Sequence, residues 1–260
     1  MKEQPSPDPS PMEPPETGAP DDLPVTGPVL FDCDGTLVDS EPIASAVTAE
    51  MLLTRGVRLD PTEVLDLFTG LSARSSAELV EARFGVVLDA EYWAEKSRRL
   101  DVAFAARLRA VPGMADLVQD LAAAGRPICV ASSGSPERID RSLGATGLDA
   151  WFPPSLRLSA VMVGRGKPAP DLFLLAARRF GAEPSTCVVV EDSVPGVQAG
   201  VAAGMKVVGL AAGGHADPGL PARLLRAGAS EVASSAAELA GLLSADRPPV
   251  TGASRTATGS

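Results

Sequence analysis

Long apolar runs, paired cysteines, surplus positive charge and histidine are all scarce in this sequence, and each scarcity removes a class of function. No uninterrupted apolar stretch reaches the roughly 18 residues that a membrane-spanning helix needs. The best candidate, AGVAAGMKVVGLAAGG, is broken by Lys206 and by glycines. No basic segment followed by an apolar one opens the sequence, so no signal peptide is expected. Cys33, Cys129 and Cys187 form no C-x-x-C pair, which argues against a zinc ribbon or a redox motif. Each lies in or beside an apolar run and reads as a buried, reduced thiol, as in a cytoplasmic protein. The net charge of −10 disfavours nucleic acid and anionic membranes as partners. The same charge would repel a phosphorylated substrate unless a site supplied its own cations. The one histidine, His215 in GGHADPG, reads as a surface-loop residue. The segment GVQAGVAAG lacks G-x-G-x-x-G spacing, so a dinucleotide site is not expected, and no repeat of 20–50 residues is found.

What is present is an alternation of short apolar runs with helical patterns. The runs are VLF (29–31), PICVASS (127–133), CVVVED (187–192) and KVVGL (206–210). Helical spacing occupies 114–125, 171–181 and 194–204. This pattern predicts an α/β fold: a doubly wound parallel sheet covered on both faces, with ligands beyond the carboxyl ends of its strands. Residues 42–109 break the alternation. They carry four helical patterns in succession, with Gly56, Gly70 and Gly85 where helix C-caps belong. They are expected to form a small helical domain inserted after the first strand, with a core from 28–41 and 110–245. Residues 1–27 and 246–260 are rich in proline and polar groups and are expected to be disordered.

Chemistry concentrates at the strand ends. In extended chain, residues i and i+2 face one side, so Asp32 and Asp34 in FDCDGT can aim at one point while Cys33 turns away. Gly35 permits a tight departure and Thr36 can hydrogen-bond a carboxylate. One carboxylate could attack an electrophile while the other hands a proton to the leaving group. Their proximity would raise one of the two pKa values. A metal-binding DxD of a sugar transferase, or a pair of glycosidase carboxylates, competes with this reading. VVVEDS adds Glu191 and Asp192, oxygen ligands suited to Mg2+. GRGKPAPD adds Lys167 ahead of a helix for which Asp171 is a candidate cap. ASSGSPERI adds Ser132 and Ser133 before a helix start, a good place for phosphate.

Taken together and in this order, these stretches resemble the four motifs of the haloacid dehalogenase superfamily. DCDGTLVDSE resembles the first, VASS the second, GKPAPD the third and VVVEDS the fourth, over about residues 28–240. The helical insertion falls where the branch that is β-phosphoglucomutase-like and phosphoglycolate-phosphatase-like carries its cap. The resemblance implies a Rossmann-like core and an Mg2+-dependent phosphatase of small phosphate monoesters, such as sugar phosphates. It implies Asp32 as nucleophile, forming an aspartyl-phosphate, and Asp34 as general acid and then base. It implies Ser132 and Lys167 as phosphoryl-binding groups. Asp32, the Asp34 carbonyl, Glu191 and Asp192 would hold the metal. Asp34 argues against dehalogenation. Mutases of this branch have a cap histidine where Ala44 stands, and the segment FTGLSAR, with Thr69 and a displaced Arg74, departs from theirs. Hydrolysis is therefore favoured over a phosphosugar mutase, and a non-catalytic phosphometabolite-binding protein is least favoured. Arg74 is the candidate cap cation and Glu41 a candidate at the cap entrance; Tyr92 and Trp93 read as cap core. The expected partner is a small phosphorylated metabolite, with neither nucleic acid nor membrane, on a cytoplasmic monomer or homodimer.

Overall fold

A computed structural model describes residues 27–68 and 73–245, which lie within one compact unit. The expectations for both tails, for Thr69 and for Gly70 lie outside the described residues. In chain order the elements are β1 Val29–Phe31, α1 Glu41–Thr54, α2 Pro61–Phe68, α3 Ala73–Phe84, α4 Ala90–Arg107, α5 Met114–Ala123, β2 Ile128–Ser132 and α6 Pro136–Thr146. They continue as β3 Arg157–Ser159, α7 Asp171–Arg179, β4 Val188–Glu191, α8 Val194–Ala202, β5 Lys206–Leu210, α9 Leu220–Ala227, β6 Glu231–Ala233 and α10 Ala236–Ala245.

The strands form one sheet in the order β3-β2-β1-β4-β5-β6, with every pairing parallel. The chain builds outward from β1 on one side, then returns to build outward from β4 on the other. The order therefore reverses between β1 and β4, which is where such sheets open a crevice at their carboxyl ends. Both faces are covered, so the strands are apolar at consecutive positions rather than alternate ones. Val29 and Phe31 join a cluster with Met114, Val118, Ile139 and Leu239. Leu30, between them, points the other way, toward Leu172, Phe173 and Val197. The three cysteines are buried and unpaired.

β3 and β6 were not visible as apolar runs. They are the edge strands, each paired on one side only, and each begins with a half-buried charged residue, Arg157 or Glu231. An edge strand has no second neighbour to demand an apolar surface.

Helices α1 to α4 lie between β1 and β2 in the chain, where the helical insertion is expected. Gly56 and Gly85 follow α1 and α3 with φ of +83° and +69°, the left-handed conformation of a C-terminal glycine. The apolar cluster above the sheet continues into these helices through Val47, Leu52, Val64, Val80, Leu100 and Phe104. The chain leaves and returns side by side: Asp39 N–H donates to the Arg109 carbonyl at 2.9 Å, and Val111 N–H to the Leu37 carbonyl at 3.0 Å. Among the described residues no helix is long and apolar enough to cross a membrane.

Candidate active site

The crevice between β1 and β4 gathers acidic groups from both strand ends. Asp32 directly follows β1, Glu191 ends β4 and Asp192 comes next. One carboxylate oxygen from each lies within 4.8 Å of the others, and all three residues are buried. Three carboxylates this close cannot remain charged in a low-dielectric site without cations. Lys167 supplies one. It reaches in from the loop before α7 and its side chain is only 4% exposed. Its Nζ donates to Asp32 Oδ1 at 2.5 Å and to Glu191 Oε1 at 2.6 Å. Burial alone would lower the Lys167 pKa, but Asp32 and Glu191 outweigh it and hold the ammonium charged. The Asp32 carboxyl is pushed well above the ordinary range, first by burial; Lys167 opposes this, while Glu191 and Asp192 add to it. The proximity effect expected between Asp32 and Asp34 thus arises instead between Asp32 and the β4 acids.

The remaining lone pairs are held by local structure. Ser193 caps α8 and donates to Glu191 Oε2 from both its N–H, at 3.1 Å, and its hydroxyl, at 2.9 Å. Gly196, in the first turn of α8, lies directly against Glu191: a Cβ there would sit 1.8 Å from Oε1. Thr36 donates to Asp192 Oδ1 at 2.8 Å, so the carboxylate it serves is across the sheet. Gly35, with φ of +81°, turns the chain after Asp34, and a Cβ on it would lie 2.2 Å from Asp192 Oδ2. His215 corrects the sequence reading. It is buried, not on the surface, and its Nε2 lies 3.0 Å from Asp192 Oδ2. Burial lowers its pKa, but Asp192 raises it further, so the net shift is upward.

Asp34 stands apart from this cluster. Its Oδ1 accepts from Arg138 Nη2 at 3.1 Å. The Arg138 guanidinium rests on the Phe104 ring, 5.2 Å from its centroid, so α6 and α4 share this cation. Ser132, at the end of β2, is buried and accepts from the Gly134 N–H at 3.0 Å, while Ser133 is exposed. Ser135 caps α6. Asp171 does not cap α7, whose N-cap is Pro170. It is the first helical residue and pairs with Arg165 at 2.9 Å. Arg74 is 89% exposed and pairs with Glu78 one turn along α3, at 2.8 Å, rather than with any of the strand-end groups.

Beyond Arg138 a cavity of about 410 Å³ opens among α1 to α4. Its wall mixes apolar side chains, among them Ala44, Leu52, Val64, Tyr92 and Trp93, with the hydroxyls of Ser45, Thr48 and Ser97; its charged groups are Glu41, Lys96 and Arg138. The Glu41 carboxyl is raised by burial and by the fields of Asp34 and Asp192. Tyr92 is buried against the edge of Trp93.

Sequence reasoning assigned no role to Arg138 or Lys96. Arg138 was within a quoted motif, six residues after Ser132, but an arginine in a first helical turn carries no signal by itself. Lys96 did leave a trace. It lies four residues after Tyr92 and four before Leu100, on the stripe that α4 buries.

A donor set of buried carboxylate oxygens suits a hard divalent cation. Comparison with known proteins agrees with the geometry. The family model for a haloacid dehalogenase-like hydrolase matches residues 29–204. The 6-phosphogluconate phosphatase of Escherichia coli is 38% identical over 192 residues, 73% of this chain and 85% of that protein. Hexitol phosphatase A of the same organism is 36% identical over 181 residues, 69% of this chain and 80% of that protein. A crystal structure of a HAD family hydrolase from Deinococcus radiodurans, with bound phosphate and sodium, superposes with a TM-score of 0.74 at 36% identity. That match covers 86% of this chain and 97% of the other. The chain is an enzyme of the haloacid dehalogenase-like hydrolase family.

Proposed function

We propose that the protein is an Mg2+-dependent phosphatase of small phosphate monoesters, sugar phosphates or close relatives, with Asp32 as nucleophile. The observation that carries this reading is the convergence of Lys167, Glu191 and Asp192 on the Asp32 carboxylate at the sheet's switch point. Asp32, Asp192 and the Asp34 carbonyl would hold the metal. Both Glu191 oxygens already accept hydrogen bonds, which suits it to orienting the site or binding through water. The metal, when bound, supplies positive charge that lets a phosphate dianion approach acidic groups and stabilises charge in transfer.

Asp32 attacks phosphorus, and the bond from phosphorus to the ester oxygen breaks. Asp34 gives its proton to the departing alcohol. Water then attacks the phosphorus of the aspartyl-phosphate, Asp34 takes a proton from it, and Asp32 leaves as free orthophosphate forms. Arg138 fixes one oxygen of Asp34 and leaves the other for the proton. Lys167 and Ser132 hold the phosphoryl oxygens, with the exposed Ser133 at the rim. The insertion 42–109 acts as a cap that limits bulk water over the reacting group. Ala44 on the cavity wall has no group that could return a proton to a retained phosphorylated intermediate, which supports hydrolysis over mutase action.

The test is phosphate release from a panel of sugar and organic-acid phosphates, with Mg2+ present or chelated, by wild type and Asp32→Asn. Release requiring both Mg2+ and Asp32 is expected. Wild-type rates in Asp32→Asn would sink the mechanism. Isomerised sugar phosphate without free phosphate would move the assignment to a mutase.

A further inference from the structure

Among the described residues Lys96 has no counter-ion. Its stem sits on the buried stripe of α4, and its ammonium faces the cavity, 5.4 Å from the centroid of Trp93. Among the described residues no carboxylate comes within ion-pair distance, 4.0 Å, of that nitrogen. The other cations that face the site are matched: Lys167 by Asp32 and Glu191, and Arg138 by Asp34. Glu41, on the same cavity wall, favours the Lys96 charge from a distance; burial opposes that charge and is the larger influence. Lys96 is half-buried, and a cation in that setting with only an aromatic face beside it loses hydration without gaining a counter-charge. Its position on an otherwise apolar stripe therefore calls for an anion that comes from outside the chain.

We propose that Lys96 receives a carboxylate carried by the leaving-alcohol part of the substrate, so that the preferred substrates are phosphate esters of sugar acids. The inference rests on the phosphatase reading above. One ammonium matches one carboxylate. A second phosphate dianion would bring more negative charge than one ammonium offsets. The phosphoryl group would lie at the strand ends by Asp32, with the rest of the molecule extending past Arg138 into the cavity. Where Trp93 and its apolar neighbours partly shield the ammonium, a charge pair made there is screened less than in bulk water. Lys96 is thus a specificity residue that does not touch the reacting atoms.

A matched pair of esters isolates this charge. 6-Phosphogluconate and a hexitol 6-phosphate have the same chain length and differ at one end, carboxylate against hydroxymethyl. For wild type, kcat/KM for the acid is expected to exceed that for the hexitol ester by about tenfold or more, chiefly through KM. In Lys96→Met the acid should lose about tenfold more than the hexitol ester does, and Lys96→Arg should recover part of the preference. A wild type that prefers the hexitol ester, or equal losses for both esters in Lys96→Met, overturns the inference while leaving the phosphatase intact. If neither ester nor any other phosphate is hydrolysed, the parent reading fails. Calorimetric binding of 6-phosphogluconate then still decides the role of Lys96, which requires about tenfold weaker binding by Lys96→Met; equal binding overturns it.

Discussion

The crevice at the strand ends and the cavity among the helices lie on either side of Arg138, yet they handle charge in opposite ways. In the crevice the charged groups come from different strands and loops and are paired with one another: Lys167 with two acids, and Asp192 with Thr36 and His215. In the cavity a few charges are spread over a wall of mixed polar and apolar side chains, and among the described residues Lys96 has no ion-pair partner. A self-paired cluster is rigid and indifferent to what lies beyond the phosphate, which suits chemistry common to many esters. A sparse, unpaired arrangement is completed only by a ligand, which suits selection among them.

Breaking the paired cluster should have the largest effect. Lys167→Met removes a cation and leaves buried carboxylates uncompensated. Phosphate release should fall by at least about a hundredfold to a thousandfold. Urea denaturation without Mg2+ should show a loss of roughly 3 kcal/mol, unless the acids take up protons instead. A variant as stable as wild type with proton uptake on folding would point to that second route. Next comes Gly196→Ala, whose methyl group would displace Glu191. Mg2+ affinity by calorimetry should drop by about tenfold or more. Arg138→Leu joins the two regions: freeing Asp34 should lower kcat by about tenfold for every ester, whatever its far end carries. Loss confined to acidic esters would instead assign Arg138 to the cavity.

The smallest effect is expected from Glu41. Its carboxyl is raised by burial, so the folded protein favours the protonated form. That contribution to stability is complete below the ordinary value of 4.5 and is lost as pH rises through the raised value. Glu41→Gln is neutral throughout. It should melt slightly higher than wild type near pH 7, with the gap closing as pH falls toward 4.5. An unchanged gap across this range would remove titration of Glu41 as its cause.

The central strands were legible because burial on both faces forces β-branched and apolar runs such as CVVV and PICV. Their polar ends were legible in combination: Asp32, Asp34, Glu191 and Asp192 close apolar runs, and Lys167 in GRGKPAPD gained meaning only beside them. The edge strands were not, since Arg157 and Glu231 satisfy only a half-covered surface. His215 was misread because its neighbours are glycines and polar residues, the composition of a loop. The burial comes from packing against Gly35 and Gly213, which lie far apart in the chain. Arg74 drew attention as an arginine near a motif-like segment, yet its helix gives it a partner one turn away. Lys96 was legible in principle, as a break in a stripe at four-residue spacing.

The side-by-side path of residues 37–39 and 109–111 has a consequence for descent as well as for mechanism. Because the segments where the chain leaves toward α1 and returns after α4 are hydrogen-bonded to each other, the length and content of what lies between them place no demand on the register of β1 and β2. A block of chain can be lengthened, shortened or exchanged there while the sheet below stays aligned. The carboxylate-bearing strand ends can thus be inherited intact while the cavity walls are replaced wholesale.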